Sequence, residues 1–364
     1  MRIRVLHITQ ALGGVKTYFE HILTHIDSNK FEIVLIAPAD KELEKLCSSY
    51  ETIYYRLDIK RNIHLIYDPY CFARILLLVK KIQPNIIHAH SAKGGMLSKL
   101  SVYFHRIPVV FTPNAFSYLS FIGFKRVLFY SLEYFSRKKV RKLLAVSHSE
   151  YDRAVNELNY KPEQLSIVLN SISINDIEFN RNFDRCSHIG MIGRLTHQKN
   201  PLFFLEVAKR IREVFPAIQF TLLGAGYHDH LKEDVLEFIQ KHQLDNVQIM
   251  SWGECPLEKF YQELDVFLLT SSFEGLPFSL LEAMSYKLPC VTTNVDGNKD
   301  VVKNNYNGFL TNSIEEAVSQ IVLLVQSKEL RERLGQCAYR YVKEFHNAKI
   351  NIKKVEHLYE NLLN

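Results

Sequence analysis

The chain has no clustered cysteines, no long apolar run and no paired aspartates, and each absence removes a class of protein. Its six cysteines, Cys47, Cys71, Cys186, Cys255, Cys290 and Cys337, are widely spaced, with no Cys-x-x-Cys and no Cys/His grouping. A disulfide framework or a zinc site is therefore not expected, and a reducing cytoplasm suits the chain. The opening Met1-Arg2-Ile3-Arg4-Val5-Leu6 runs straight into a strand pattern and lacks the apolar core and cleavage site of a signal peptide. No stretch approaches the roughly 18 apolar residues of a membrane-spanning helix. The nearest, Phe116 to Phe135, is broken by Lys125 and Arg126. No Asp-x-Asp and no carboxylate cluster suited to Mg²⁺ or Mn²⁺ occurs, so no metal and no cofactor is expected.

What is present is ordinary globular composition, 47% hydrophobic and 23% charged, over 364 residues, a length that suits two domains. The net charge of +6 is unevenly placed. Met1 to Asp184 is basic and Arg185 to Asn364 is slightly acidic, and between Lys93 and Lys142 the single acidic residue is Glu133. A basic half beside a near-neutral half points to an anionic partner or surface met by one domain.

Short apolar runs alternate with amphipathic stretches throughout. Arg4–Ile8, Ile33–Ile36, Ile53–Tyr55, Ile86–His88, Val109–Phe111, Leu143–Val146 and Ile167–Leu169 read as strands buried on both faces. After a polar stretch, Asn175 to Arg185, the pattern restarts with His188–Gly193, Phe220–Leu223, Val247–Met250, Val266–Leu269 and Pro289–Thr293. The expected fold is α/β: two Rossmann-like, doubly wound parallel-sheet domains facing across a cleft. The boundaries are placed at 1–172, a linker at 173–186, and 187–346. The amphipathic helix at 347–364 could pack on either domain.

The second domain carries the sharpest motifs. In Ile192-Gly193-Arg194-Leu195-Thr196-His197-Gln198-Lys199-Asn200-Pro201, a glycine turns the chain between strand and helix. Arg194 and Lys199 then stand without an acidic sequence neighbour. Two unpaired cations at a sheet's carboxyl end suit a diphosphate; solvated surface cations are the alternative. Leu223-Gly224-Ala225-Gly226 ends another strand and is weaker, since it need only be a tight turn. The strongest signal is Ser271-Ser272-Phe273-Glu274-Gly275-Leu276-Pro277-Phe278-Ser279-Leu280-Leu281-Glu282. Glu274 stands at a strand end and Glu282 inside the following helix, whose first amides near Phe278 and Ser279 face outward to an anion.

The Glu274/Glu282 spacing, Gly193-Arg194 with Lys199, and the turn Gly13-Gly14 after the first strand together resemble glycosyltransferase family 4. That resemblance covers nearly the whole chain. It implies the GT-B fold and retaining transfer from a nucleotide sugar, without a metal, to a glycan or lipid-linked acceptor, in surface polysaccharide synthesis. Carried over, Arg194 and Lys199 hold the donor diphosphate and Glu282 the ribose. Glu274 contacts the donor sugar, and the amides of Phe278, Ser279 and Leu280 face the donor. Gly193, Gly224, Gly13 and Gly14 line the donor site, and His90 the acceptor side.

Two departures stand out. Lys16 replaces an acidic residue common after the glycine pair, and Asn114 stands where the family usually places a histidine. Asn114 can hydrogen-bond a sugar but cannot titrate. A sugar-nucleotide epimerase of the same fold and a silent nucleotide-sugar-binding subunit are the alternative functions. Residues 116–142 mix aromatic rings with cations, which suits an anionic membrane surface. A core-facing aromatic helix with a solvated basic face is the plain alternative. No nucleic-acid-binding pattern accompanies these residues. The expected location is cytoplasmic, either free or peripheral on the inner face of the membrane.

Overall fold

The structure, a computed structural model, describes residues 2–10, 12–60, 63–174, 179–226 and 229–363. It divides into two compact units, Met1–Ser173 with Ala348–Asn364, and Ile174–Asn347.

The first unit alternates strands and helices: β1 (Ile3–Thr9), α1 (Gly13–His25), β2 (Phe31–Ala37), α2 (Lys41–Ser49), β3 (Ile53–Arg56), α3 (Tyr67–Ile82), β4 (Ile86–His90), α4 (Ala92–Ser101), β5 (Val109–Thr112), α5 (Gly123–Ser136), β6 (Lys142–Ala145), α6 (His148–Asn156) and β7 (Leu165–Ile167). The second continues with β8 (His188–Ile192), α7 (Pro201–Val214), β9 (Gln219–Ala225), α8 (Lys232–Lys241), β10 (Val247–Ser251), α9 (Leu257–Glu263), β11 (Val266–Leu269), α10 (Phe278–Ser285), β12 (Cys290–Thr293), α11 (Asn298–Val301), β13 (Phe309–Thr311), α12 (Ile314–Gln326) and α13 (Lys328–Phe345). The last helix, α14 (Ala348–Asn361), returns to the first unit and packs on α1. Ile352, Val355, Leu358 and Tyr359 on its inner face join a core with Phe19, Ile22 and Leu35.

All paired strands run parallel, in the orders β3-β2-β1-β4-β5-β6-β7 and β10-β9-β8-β11-β12-β13. Their central strands are buried on both faces, which explains the unbroken apolar runs. In each sheet the order reverses once, between β1 and β4 and between β8 and β11. At such a switch point successive loops leave in opposite directions, and the carboxyl ends of the two strands open a binding place.

Part of the stretch expected as a linker is pinned to the second unit. The buried Arg181 guanidinium donates to the carbonyl oxygens of Tyr261 (2.7 Å), Tyr286 (2.7 Å) and Leu264. Leu264 and Tyr286 close the C-termini of α9 and α10, where a cation meets the negative end of each helix dipole. Burial lowers the Arg181 pKa to about 10, still well above neutrality.

Candidate active site

The switch point of the second sheet brings the strongest sequence motifs together. Gly193 continues β8, its N–H donating to Leu223 O at 2.9 Å. The loop beyond is stitched to the end of β11. Thr270 Oγ1 donates to the carbonyls of Lys199 and Asn200, both at 3.0 Å, and Ser272 N–H donates to Gln198 O at 2.7 Å. Lys199 therefore reaches Glu274, its Nζ donating to Oε1 at 2.6 Å, with side chains 15% and 8% exposed. The expectation of two unpaired cations is corrected here. The loops after β8 and β11 are neighbours because their strands are neighbours, so Lys199 meets a carboxylate 75 residues away. Arg194, half-buried on the same loop, is also engaged within the fold.

Sequence reasoning missed Gln198. Its Nε2 donates to Phe273 O at 3.3 Å and lies 3.5 Å from Glu274 Oε2. With Oε1 on Lys199, Oε2 keeps lone pairs that can accept from ligand hydroxyls. The turn glycines are explained by close approach. Gly224 has φ +132°, and a Cβ there would stand 2.7 Å from Gly193 O. Gly297, with φ +80°, packs against Glu274, whose Cβ would be 2.9 Å from an added methyl.

Pro277 precedes α10, and Phe278, Ser279 and Leu280 form its first turn. The expectation that Leu280 presents its amide outward is corrected: that N–H donates to Pro277 O at 3.2 Å, a tight i→i+3 start to the helix. Glu282 lies half-buried on α10. Tyr261 of α9 donates its hydroxyl to Glu282 Oε2 at 2.6 Å while its ring stacks on Tyr286. Burial beside this carboxylate raises the Tyr261 pKa, so the hydroxyl stays protonated and donates. Nothing in the sequence singled Tyr261 out, because an aromatic residue on an amphipathic helix reads as core.

The first unit's switch point gathers Gly13 and Gly14, exposed at the start of α1, with the end of β4. Lys16 is tied to Asp40 (3.4 Å) and to Glu42. The place expected for His90, on an accessible acceptor side, is corrected, because the ring is fully buried in the sheet. It packs with His7, His88, Tyr18 and Phe19. Strand alternation turns His90 inward, and Lys93, one turn on, pairs with Asp68 at 2.6 Å.

Among the described residues, His7, His88 and His90 form the one His/Cys/Asp/Glu group close enough to share an ion. His7 Nε2 and His90 Nδ1 are buried without a hydrogen-bond partner, and the other four nitrogens are engaged. His7 Nδ1 lies 2.9 Å from His90 Nε2, and His88 bonds Tyr359 Oη (2.6 Å) and Thr112 Oγ1 (2.8 Å). Burial pushes His7 down to about 3 and holds His88 and His90 well below the usual histidine value, so all three are neutral near pH 7. Asn114 follows β5, half-buried, with φ +53°.

The aromatic stretch is divided between core and surface. Phe116 and Tyr118 are buried, and Phe129, Tyr130 and Tyr134 pack against the core. Ile122 (88% exposed), Phe124 (81%), Val127 (60%) and Phe135 (74%) face solvent along α5 and its entry, with Lys125, Arg126 and Lys138 exposed beside them. Lys139 Nζ lies 4.0 Å from the ring of the exposed Tyr103, which extends this surface. Among the described residues no helix is long and apolar enough to cross a membrane.

Two family models tile the chain. Residues 12–176 match "Glycosyltransferase Family 4" and residues 175–341 match "Glycosyl transferases group 1". The chain belongs to the family 4 glycosyltransferases. Among curated relatives, the UDP-Gal:alpha-D-GlcNAc-diphosphoundecaprenol alpha-1,3-galactosyltransferase of Escherichia coli is 27% identical, over 100% of this chain and 98% of its own length. The capsular polysaccharide biosynthesis glycosyltransferase CapM of Staphylococcus aureus is 23% identical, over 91% and 90%. Among solved structures, Anabaena HepE in complex with UDP and glucose superposes with a TM-score of 0.83 at 14% identity, over 99% of this chain and 100% of that one. The lipopolysaccharide outer core galactosyltransferase WaaB gives 0.70 at 19%, over 98% of each. The two parallel α/β units of this glycosyltransferase are those of the GT-B fold.

Proposed function

We propose that this glycosyltransferase takes a sugar from a UDP-sugar and passes it, with retention at the anomeric carbon and without a metal, to a lipid-linked acceptor in surface polysaccharide synthesis. The single observation that carries the reading is the buried Lys199–Glu274 pair at the switch point of the second sheet, on the loop that also bears Arg194. Breaking the anomeric bond builds negative charge on the departing diphosphate. Cations fixed by the fold stabilise that charge more than they stabilise the intact donor. Arg194 supplies a bidentate fork and Lys199 a point charge. Glu274 Oε2 accepts from sugar hydroxyls, and Glu282, oriented by Tyr261, accepts from the ribose. The departing phosphate oxygen takes the acceptor's proton, so Asn114 need not titrate.

The UDP donor and the lipid-linked acceptor are supported by what the galactosyltransferase relative is named for. The exposed Ile122, Phe124, Val127 and Phe135 with neighbouring cations suit an anionic bilayer on which such an acceptor rides. The test is a transfer reaction with UDP-galactose and synthetic GlcNAc-diphosphoundecaprenol, with and without EDTA, the product's anomeric coupling read by NMR. An α-linked product formed equally in EDTA is expected. A β-linked product excludes retention, and loss of activity in EDTA excludes metal independence.

A further inference from the structure

The sheet of the first unit has helices packed on both faces, and one of these layers carries charge of a single sign. α3, α4 and α5 lie side by side on that face. Ile75 and Leu78 of α3, Leu97 of α4 and Tyr130 and Tyr134 of α5 turn inward to its core. From Pro69 to Leu132 the sequence has no acidic residue. The two carboxylates on these helices are already used. Asp68 pairs with Lys93 at 2.6 Å, and the buried Glu133 with Lys99 at 2.6 Å. Arg74, Lys80, Lys81, Lys125, Arg126 and Lys138 stay exposed, with no carboxylate of this layer left to balance them.

The outward face is apolar as well as basic. On α3, Tyr70, Arg74, Leu77 and Lys81 recur at the spacing of one helical stripe, and all four are exposed. On α5, Phe124, Val127, Leu128 and Phe135 form a second exposed stripe. Between the two, the chain leaving α4 exposes Tyr103 (67%) and Phe104 (68%). The Phe104 ring lies 5.8 Å from that of Phe72 on α3, and the Tyr103 ring lies 4.0 Å from Lys139 Nζ, just past α5. One surface therefore runs from α3 across to α5. Single exposed apolar residues are ordinary, but contiguous ones on neighbouring elements mark a contact surface.

Its chemistry selects the occupant. Rings among long cationic side chains suit a bilayer interface, where the rings sit at headgroup level and Lys and Arg reach lipid phosphates while their stems follow the apolar surface. A protein partner would need an acidic face matched to all three helices. Anionic lipids supply that charge at every point.

We propose that the first unit lies flat on an anionic lipid bilayer through the whole outer face of α3, α4 and α5, with Tyr103 and Phe104 as the apolar bridge between the two stripes. This rests on, and extends, the reading that α5 meets such a bilayer.

In the experiment the full chain is sedimented with vesicles of phosphatidylcholine alone and with vesicles of phosphatidylcholine and phosphatidylglycerol in equal parts. Melting curves are recorded for every variant. The wild type should bind only the second kind and should be released as salt is raised. Tyr103→Ser/Phe104→Ser should weaken binding about tenfold or more. Arg74→Ser/Leu77→Ser, on α3 and outside α5, should lose about fivefold through the cation alone. Both of its side chains face water, so this variant should melt like wild type. Phe104→Trp should shift its emission to the blue on the anionic vesicles, over the background of the native Trp252 in the second unit.

Wild-type binding by Arg74→Ser/Leu77→Ser, or a Phe104→Trp emission that the vesicles leave unshifted, confines the contact to α5 and overturns this proposal while the α5 reading stands. A wild-type chain that ignores the anionic vesicles overturns both and leaves the donor chemistry untouched. A dimer in sedimentation velocity that Phe104→Ser dissolves and vesicles do not would make the face a contact between two copies, and would also overturn the bilayer.

Discussion

Replacing Lys199 by Met separates the structural from the chemical role of the Lys199–Glu274 pair. Methionine keeps the stem that lies over Gly193, where an added Cβ would be 3.1 Å from Lys199 Cγ, and deletes only the charge. Glu274, its side chain 8% exposed, then keeps a buried carboxylate without its cation. Removing one partner of such a pair costs about 3–5 kcal/mol, far more than the intact pair contributes. For a domain of this size that is a fall in Tm on the order of 10 °C. Adding Glu274→Gln removes the stranded charge, so the double variant should recover most of that loss. Turnover should not recover, because the ammonium proposed to meet the diphosphate is gone, and a fall of roughly 10²–10³ is expected in both variants. Differential scanning calorimetry and the UDP-release assay read the two effects separately. A Lys199→Met protein that melts like wild type refutes the buried pair. A double variant with wild-type turnover refutes its part in the chemistry.

Three further outcomes follow from the same geometry. Tyr261→Phe removes the hydroxyl that holds Glu282; a hydrogen bond to a charged group contributes about 1.5–3 kcal/mol, so UDP should bind about 10- to 150-fold more weakly by calorimetry. The buried histidines make the first unit acid-sensitive. Their folded pKa values lie below the unfolded value near 6.5, so the unfolded chain binds more protons below that pH. Stability is full above about pH 6.5 and falls by about 1.4 kcal/mol per pH unit per histidine below it; equal melting temperatures at pH 7 and pH 5 would contradict this. Phe124→Ser with Val127→Ser should release the protein from phosphatidylglycerol vesicles in a sedimentation assay without changing Tm, since both side chains already face water.

The sheets were legible in the sequence because strands buried on both faces must be apolar without interruption. Most strands of the first unit show as such a run; the edge strand β3 is marked by Ile53-Tyr54-Tyr55 although Ile53 and Arg56 are exposed, and β7 begins two residues before the run that marks it. β13 escaped notice because Phe309–Thr311 is three residues long and lies among polar turns. Gly193, Arg194, Lys199, Glu274 and Glu282 were visible as a turn, two cations and two carboxylates at strand ends and a helix start, the pattern from which the proposed donor site is built.

Which of these touch was not visible, because that depends on strand order. Lys199 looks unpaired along the chain and is paired only because β8 and β11 are neighbours. Gln198 and Tyr261 carry no charge and leave no signal distinct from packing. His90 misled for a related reason: at a strand's carboxyl end a residue faces either the opening or the core, and here the face of β4 that carries His88 and His90 packs against Tyr359 and Phe19.

The claim on which the account rests is that the carboxyl edge of the second sheet receives the donor. A crystal of the protein grown with UDP tests it most directly. The account predicts the diphosphate within about 3.5 Å of Arg194 and Lys199, with the ribose hydroxyls on Glu282. A nucleotide bound elsewhere, with Arg194 and Lys199 both remote from phosphate, would contradict it.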